Sequence, residues 1–328
     1  MITLNFLLTS LIVVLIPGTG VIYIDAENDG TYVSTPMNQI SANLYEATFP
    51  AVPCGRVVRY YVTAQSTTSS TVADPNGAPA SYYTALAATS TNVVFQDTFE
   101  TNQGWVATVN GATTGQWQRG VPANGGRGDP PVDSNDAGTQ CYLTQNAAGD
   151  TDVDGGSVIL TSPTMNASGG GEAILSYARW YDNTGAGTGG NPGTHTFDVA
   201  VSNNNGSSWV ALESVGPATS ESSGGWYYKS FPLSTVLPLT SQMKVRFTAS
   251  DSAASPAVVE AAVDAVKLET VICLCPSDFD QNGFVNGDDF DSFIAAFEAG
   301  STAADFDHNT FVNGDDFDAF VLAFEAGC

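Results

Sequence analysis

Residues 196–215, TFDVAVSNNNGSSWVALESV, read as two strands joined by a turn at Asn204-Asn205-Gly206. Asn-Gly supplies the positive φ that tight hairpin connections need, so the chain here folds back on itself. Further strand-like runs flank it: VVFQDTF at 93–99, SVILTSPTM at 157–165, AILSYARWY at 173–181, WYYKSFPL at 226–233, MKVRFTAS at 243–250 and VVEAAVDAVKL at 258–268. Gly, Asn, Asp and Ser turns separate them, and no segment of helical period intervenes. One long block over 93–270 with this many short strands predicts a two-sheet jelly-roll β-sandwich.

Upstream, residues 21–90 predict a smaller sandwich. VIYIDAENDGTYVSTPM at 21–37 carries a hairpin signal at Asn28-Asp29-Gly30. LYEATFP and VVRYYVTAQ follow, joined through Pro53-Cys54-Gly55, with Val58, Tyr60 and Val62 on one strand face. Four or five strands, against seven in a full immunoglobulin-like domain, make this a partial immunoglobulin- or fibronectin-like sandwich. Ala73–Ser90, rich in Ala with Pro75, Gly77 and Pro79, reads as a linker. Residues 1–20 open with the uncharged MITLNFLLTSLIVVLI, too short for a membrane span of about 20 residues. It is a candidate signal-peptide core with Gly18 and Gly20 before a cut; the competing reading is a buried strand. No stable membrane insertion is expected.

Composition narrows the function classes. Lys+Arg is 9 against Asp+Glu 34, a net charge of −25. Nucleic acids and anionic membranes recruit clustered cations, so neither is an expected partner. His195 and His308 are the only histidines, which argues against a His-rich zinc site. No G-x-S-x-G, H-E-x-x-H or G-x-x-x-x-G-K-[ST] occurs, so the chain is expected not to be an enzyme.

From Cys273 onward there are twelve acidic residues and no Lys or Arg. Within that segment DFDQNGFVNGDDFDSFIAAFEAG (278–300) recurs as DFDHNTFVNGDDFDAFVLAFEAG (305–327), 18 of 23 positions being identical. Each copy begins D-x-D-x-N, the alternation that points hard oxygen ligands at one calcium ion. The predicted ligands are Asp278, Asp280, Asn282, the Phe284 carbonyl, Asn286 and Asp289. In the second copy they are Asp305, Asp307, Asn309, the Phe311 carbonyl, Asn313 and Asp316. Gly283 suits the sharp turn at loop position 6. Its counterpart Thr310 is β-branched and would be strained there by about 1–3 kcal/mol, so the second site is expected to be the weaker. His308 is expected to be a solvated loop residue. After each loop an apolar stripe predicts a helix: Phe290, Phe293, Ile294 and Phe297, then Phe317, Phe320, Val321 and Phe324.

Two calcium loops, each followed by one helix with no clear entering helix, resemble a type I dockerin over residues 274–328. The resemblance implies two calcium ions and a cohesin-like or other protein partner. At loop positions 10 and 11, where dockerins often carry Ser-Thr, this chain has Gly287-Asp288 and Gly314-Asp315. The 93–270 block resembles MAM-like jelly rolls at the ends of secreted proteins, through Asp97-Thr98-Phe99-Glu100, Trp105, Leu160-Thr161-Ser162-Pro163, the Ser202–Trp209 hairpin and Ala262-Val263-Asp264-Ala265-Val266. That resemblance implies a candidate third calcium held by Asp97, Glu100 and Asp264, with Asp152 and Asp154 at the same or another site. Its implied ligand is a carbohydrate or a cell-surface protein. Trp105, Trp117, Trp180, Trp209 and Trp226 are candidates for stacking sugars, with core packing the alternative. Arg127-Gly128-Asp129, before Pro130-Pro131, reads as a turn.

The resulting expectation is a mainly β, secreted or cell-surface, non-catalytic modular protein. The alternative is the accessory C-terminal region of a secreted hydrolase, a peptidase or polysaccharide-degrading enzyme, whose catalytic domain lies elsewhere. The ends of a two-fold module converge, so Cys275 and Cys328 are expected to form a disulfide; Cys54 and Cys141 are expected to be unpaired.

Overall fold

The computed structural model describes the chain except residues 1–2, 8–14, 42–43, 51, 76, 150, 170, 186–193, 253, 255, 274, 283 and 327–328. The protein is mainly β. It divides into two compact units, Met1–Ile272 and Cys273–Cys328.

Among the described residues the first unit contains four sheets. The N-terminal pair begins with β1 (Thr3–Leu7), which pairs antiparallel with β5 (Leu44–Thr48) beside β4 (Asn38–Ser41). The facing sheet runs β3 (Val33–Pro36), β2 (Val21–Asp25), β6 (Val57–Gln65) and β7 (Thr71–Asp74), with β8 (Tyr83–Leu86) also on β6. The β2–β3 hairpin closes where the sequence predicts. Asn28 and Gly30 have φ of 58° and 89°, and Asp25 accepts the amides of Asp29 and Gly30. Ile22, Ile24, Tyr45, Val58 and Val62 form a core of their own.

The jelly roll consists of two further sheets. One runs β10 (Val106–Asn110), β13 (Gly156–Thr161), β18 (Lys244–Asp251), β15 (Phe197–Ser202), β16 (Val210–Val215). The other runs β11 (Trp117–Gly120), β12 (Cys141–Thr144), β19 (Glu260–Ile272), β14 (Ala173–Asp182), β17 (Ser223–Pro232). In this second sheet β9 (Ser90–Asp97) pairs with the far half of β19. Leu160, Tyr177, Phe197 and Phe247 alternate inward between the sheets and are almost fully excluded from solvent. The Asn204-Asn205-Gly206 turn joins β15 to β16, with Asn205 and Gly206 at φ of 56° and 89°.

The second unit holds two helices, α1 (Gly287–Glu298) and α2 (Gly314–Ala326). Phe293 and Phe320 are equivalent residues of the two repeats. Their rings stack at 4.0 Å with planes 3° apart. Phe279 packs edge-on against both, at 5.5 and 6.1 Å, and Phe306 does the same at 6.2 and 5.5 Å. Offset and edge-to-face ring pairs are favourable beyond the area they bury. Phe279 and Phe306, at loop position 2, are core residues that the helical period does not reveal.

The cysteines correct one expectation. Cys54 is disulfide-bonded, to Cys273, rather than free. Cys275 is also disulfide-bonded; its expected partner, Cys328, lies outside the described residues. Cys141 is a buried free thiol. Burial and the charges of Asp264, Asp133 and Asp136 push its pKa far up. No helix among the described residues is long and apolar enough to cross a membrane.

Candidate metal centres

In the second unit the fold draws three carboxylates together in each repeat. Ligand oxygens of Asp278, Asp280 and Asp289 lie within 4.8 Å of one another, as do those of Asp305, Asp307 and Asp316. Local hydrogen bonds build this arrangement. In the first loop the Asn282 amide donates to Asp278 Oδ1 and Asp280 Oδ1, at 2.9 and 3.0 Å, and winds the chain round the centre. Asn286 caps α1 by accepting from the Asp288 amide at 2.8 Å. The Asn286 amide donates back to Asp289 Oδ2 at 2.8 Å, completing a reciprocal cap. Asp289 is thereby buried at the positive end of the helix. Asp316 sits the same way in the second loop, accepting from the amides of Asn313 and Asp307 at 2.8 and 3.1 Å. The Asn286 amide is the largest influence holding Asp289 below the usual carboxylate range, and the Asn313 amide does the same for Asp316.

These residues fit a hard cation. One oxygen of Asp305, Oδ1, is buried with no hydrogen-bond partner, and the whole segment from Cys273 has no Lys or Arg to offset its carboxylates. Calcium takes six to eight oxygens. The asparagine amides are occupied inside the loops: Asn282 Nδ2 donates to Asp280 and Asn309 Nδ2 to Asp307, both at 2.8 Å. Asn282 Oδ1 and Asn309 Oδ1 accept the amides of Phe284 and Phe311, while Asn313 Oδ1 caps α2. The Phe284 and Phe311 side chains stand exposed, 73% and 70% accessible. Thr310 adopts φ of 75°, the left-handed conformation expected of loop position 6, and its amide donates to Asp305 Oδ2 at 2.9 Å. Gly283 lies outside the described residues. His308 is exposed, as expected, with Nδ1 2.9 Å from the Phe306 carbonyl.

In the jelly roll the structure assembles a different set from the one expected. Asp264, on β19 beside a bulge where Ala265 has φ of 49°, meets Asp133 and Asp136 from the β11–β12 loop. Asp264 is fully buried. Burial pushes its pKa up to about 7, against the pull of the Ser134 and Ala265 amides. The other four expected ligands are engaged elsewhere. Asp97 accepts from the Phe99 amide and Trp105 Nε1, both at 2.8 Å. Glu100 accepts the amides of Thr139 and Gln140 at 2.7 Å, which hold its pKa low. Asp152 faces Arg127 at 3.6 Å, and Asp154 accepts from Thr114 Oγ1 at 3.1 Å. The spacing Asp133-Ser134-Asn135-Asp136, just before a strand paired with β19, is the signal that reading overlooked.

The tryptophans form no exposed row. Trp105 and Trp117 are core residues. Trp180 and Trp226 pack edge to face at 6.0 Å, with both indole N–H groups bound to backbone carbonyls. Trp209 lies beneath the Arg246 guanidinium, 4.5 Å from its ring centroid. In Arg127-Gly128-Asp129 the aspartate accepts amides of its own turn, from Gly125 and Arg127, as a turn reading predicts.

No family model and no curated protein matches this sequence. Among solved structures, the chain is similar to the K3 cleaved adhesin domain of Lys-gingipain from Porphyromonas gingivalis. The identity is 16%, covering 54% of this chain and 98% of that one, at a TM-score of 0.33. A structure described under the promiscuous specificity of β-sandwich carbohydrate-binding modules is 11% identical, covering 77% of this chain and 86% of that one, at 0.33. The CBM22-1–GH10 modules of a Clostridium thermocellum xylanase are 17% identical, covering 58% and 32%, at 0.30. At these scores the likenesses assign neither family nor ligand.

Proposed function

We propose that this is a secreted, non-catalytic modular binding protein. Its C-terminal unit folds round two calcium ions, in the manner of a dockerin, and attaches the chain to a protein partner. The observation that carries the reading is the pair of equivalent carboxylate triads, each closed by a buried aspartate at a helix N-terminus, in a segment without cations. Asp278, Asp280 and Asp289 would hold one ion, and Asp305, Asp307 and Asp316 the other. Calcium would supply the charge that lets each acidic loop close. The attachment surface is then the acidic loop–helix pair, and a cohesin-like domain is the partner the resemblance favours. A third ion at Asp133, Asp136 and Asp264 is part of the same proposal. The jelly roll is the module left to bind a protein or glycan; none of its five indoles offers an open stacking face in a shared row, which favours protein. Surface plasmon resonance of the immobilised full chain against a panel of cohesin domains, in calcium and in chelator, tests the attachment. Calcium-dependent capture that Asp289→Asn plus Asp316→Asn removes supports it; no binding across the panel in calcium counts against a cohesin-like partner.

A further inference from the structure

Residues 121–140, between β11 and β12, cross the outer face of the six-stranded sheet. Three side chains on that face hold the segment by its backbone. Trp180 Nε1 donates to the Gly128 carbonyl at 2.7 Å and Trp226 Nε1 to the Val132 carbonyl at 2.9 Å. The Tyr228 hydroxyl donates to the Ser134 carbonyl. Beneath lie Cys141, Leu143 and Ala262, packed with the two indoles and sealed from solvent. The segment thus covers an apolar patch on what would otherwise be an open sheet face.

At one end of the crossing stand Asp133 and Asp136 from the segment and Asp264 from β19, with oxygens within 4.8 Å of one another. No lysine or arginine pairs with any of the three among the described residues. One oxygen each of Asp133 and Asp136 is buried without a hydrogen-bond partner. So is the hydroxyl of Ser134, a residue 3% exposed whose side chain faces the Asp264 carboxylate. Three converging carboxylates, beside a buried unpartnered hydroxyl that faces one of them, offer oxygens to a hard divalent cation. Two of those carboxylates belong to the segment and one to the sheet, so a single ion ties the two together. Without it, like charges meet where the segment must dock.

We propose that residues 121–140 are a strap clamped by a divalent cation, with calcium the ion of matching chemistry. Removing the ion frees the strap and uncovers the Trp180–Trp226 patch and Cys141. The inference rests on the third-ion reading above and goes beyond it, from a bound ion to a surface that the ion hides.

Cys141 is the reporter. Its thiol lies under the strap, and Cys54, Cys273 and Cys275 are already disulfide-bonded. The test is alkylation of the full chain by N-ethylmaleimide, read at the Cys141 peptide by mass spectrometry, in calcium and in chelator. Calcium at a hundred times its Kd should suppress the open strap, and with it labelling of Cys141, by about 100-fold. Asp133→Asn with Asp136→Asn should label quickly in both conditions. Equal protection of Cys141 with and without calcium overturns the strap. So does labelling that appears only when β13 and β18 also lose amide-exchange protection, since the ion then stabilises the whole sandwich. Calorimetry of the same variant separates the two readings. An unchanged number of bound ions removes the third ion and the strap together; loss of one ion with Cys141 still protected removes the strap alone.

Discussion

Thr310→Gly isolates one physical quantity, the strain of a β-branched residue at φ of 75°. The Thr310 side chain is exposed, and its amide holds the loop by donating to Asp305 Oδ2 at 2.9 Å. Glycine keeps that amide and adopts positive φ freely. Holding a non-glycine residue in this region costs about 1–3 kcal/mol. Against this, glycine adds freedom to the open loop, which opposes closure by about 0.4–1 kcal/mol. Taking the middle of each range, about 2 against about 0.7 kcal/mol, glycine is favoured by about 1.3 kcal/mol, or calcium binding at the second loop about 9-fold tighter. The assay is calorimetric titration of the full chain carrying Asp289→Asn, which disables the first loop so that the second is read alone. An affinity unchanged or weakened by Thr310→Gly would refute the strain argument, because glycine keeps the amide bond to Asp305 and the exposed threonine side chain has no burial to lose.

Four further outcomes follow from the same geometry. Phe293→Ala and Phe320→Ala should each destabilise the C-terminal unit by about 3–5 kcal/mol and to nearly the same extent, since the two rings are symmetry equivalents in one stack; amide exchange of α1 and α2 measures both. Burial raises the Glu260 pKa to about 9. A buried acid whose folded pKa is raised stabilises most at low pH, and that contribution is lost as pH climbs from about 4.5 through 9. Glu260→Gln should therefore melt above the parent by a margin that widens over this range, and parallel Tm–pH curves would contradict it. A non-reducing digest should return Cys54 joined to Cys273 and Cys275 joined to Cys328, with Cys141 alkylated only after denaturation in calcium. Gly128→Ala should loosen the strap, because φ is 109° there and an added Cβ would come within 2.9 Å of Asp182 Cγ; faster Cys141 labelling in calcium is the readout.

What could be read from the sequence was whatever is local. The 204–206 and 28–30 turns declare themselves because asparagine and glycine take positive φ within two residues of each other. The two carboxylate triads declare themselves because the spacing of their aspartates is a property of one short segment, written twice. The missed features depend on where distant parts of the chain meet. Strands β10, β11 and β12 are four or five residues long, and Thr, Asn and Gly weaken their pattern, so only pairing with β13 and β19 defines them. Asp264 finds Asp133 and Asp136 across about 130 residues, through a strap whose course no spacing predicts, and Glu100 is drawn away by the Thr139 and Gln140 amides, which also lie far along the chain. Phe279 and Phe306 fall outside the helical stripes yet complete the aromatic core. Cys54 was assigned to a different module from its partner, and only the chain path brings it to Cys273.

The proposed function depends on the acidic C-terminal unit folding round two ions. Hydrogen–deuterium exchange of the full chain, followed at 287–298 and 314–326 with calcium and with chelator, tests this most directly. Ion binding at a hundredfold excess over Kd adds about 2.7 kcal/mol per site to the folded form. Both helices should therefore exchange about 100-fold more slowly in calcium, with Asp289→Asn abolishing the effect chiefly in α1 and Asp316→Asn chiefly in α2. Identical exchange of the two helices in millimolar calcium and in chelator would contradict it.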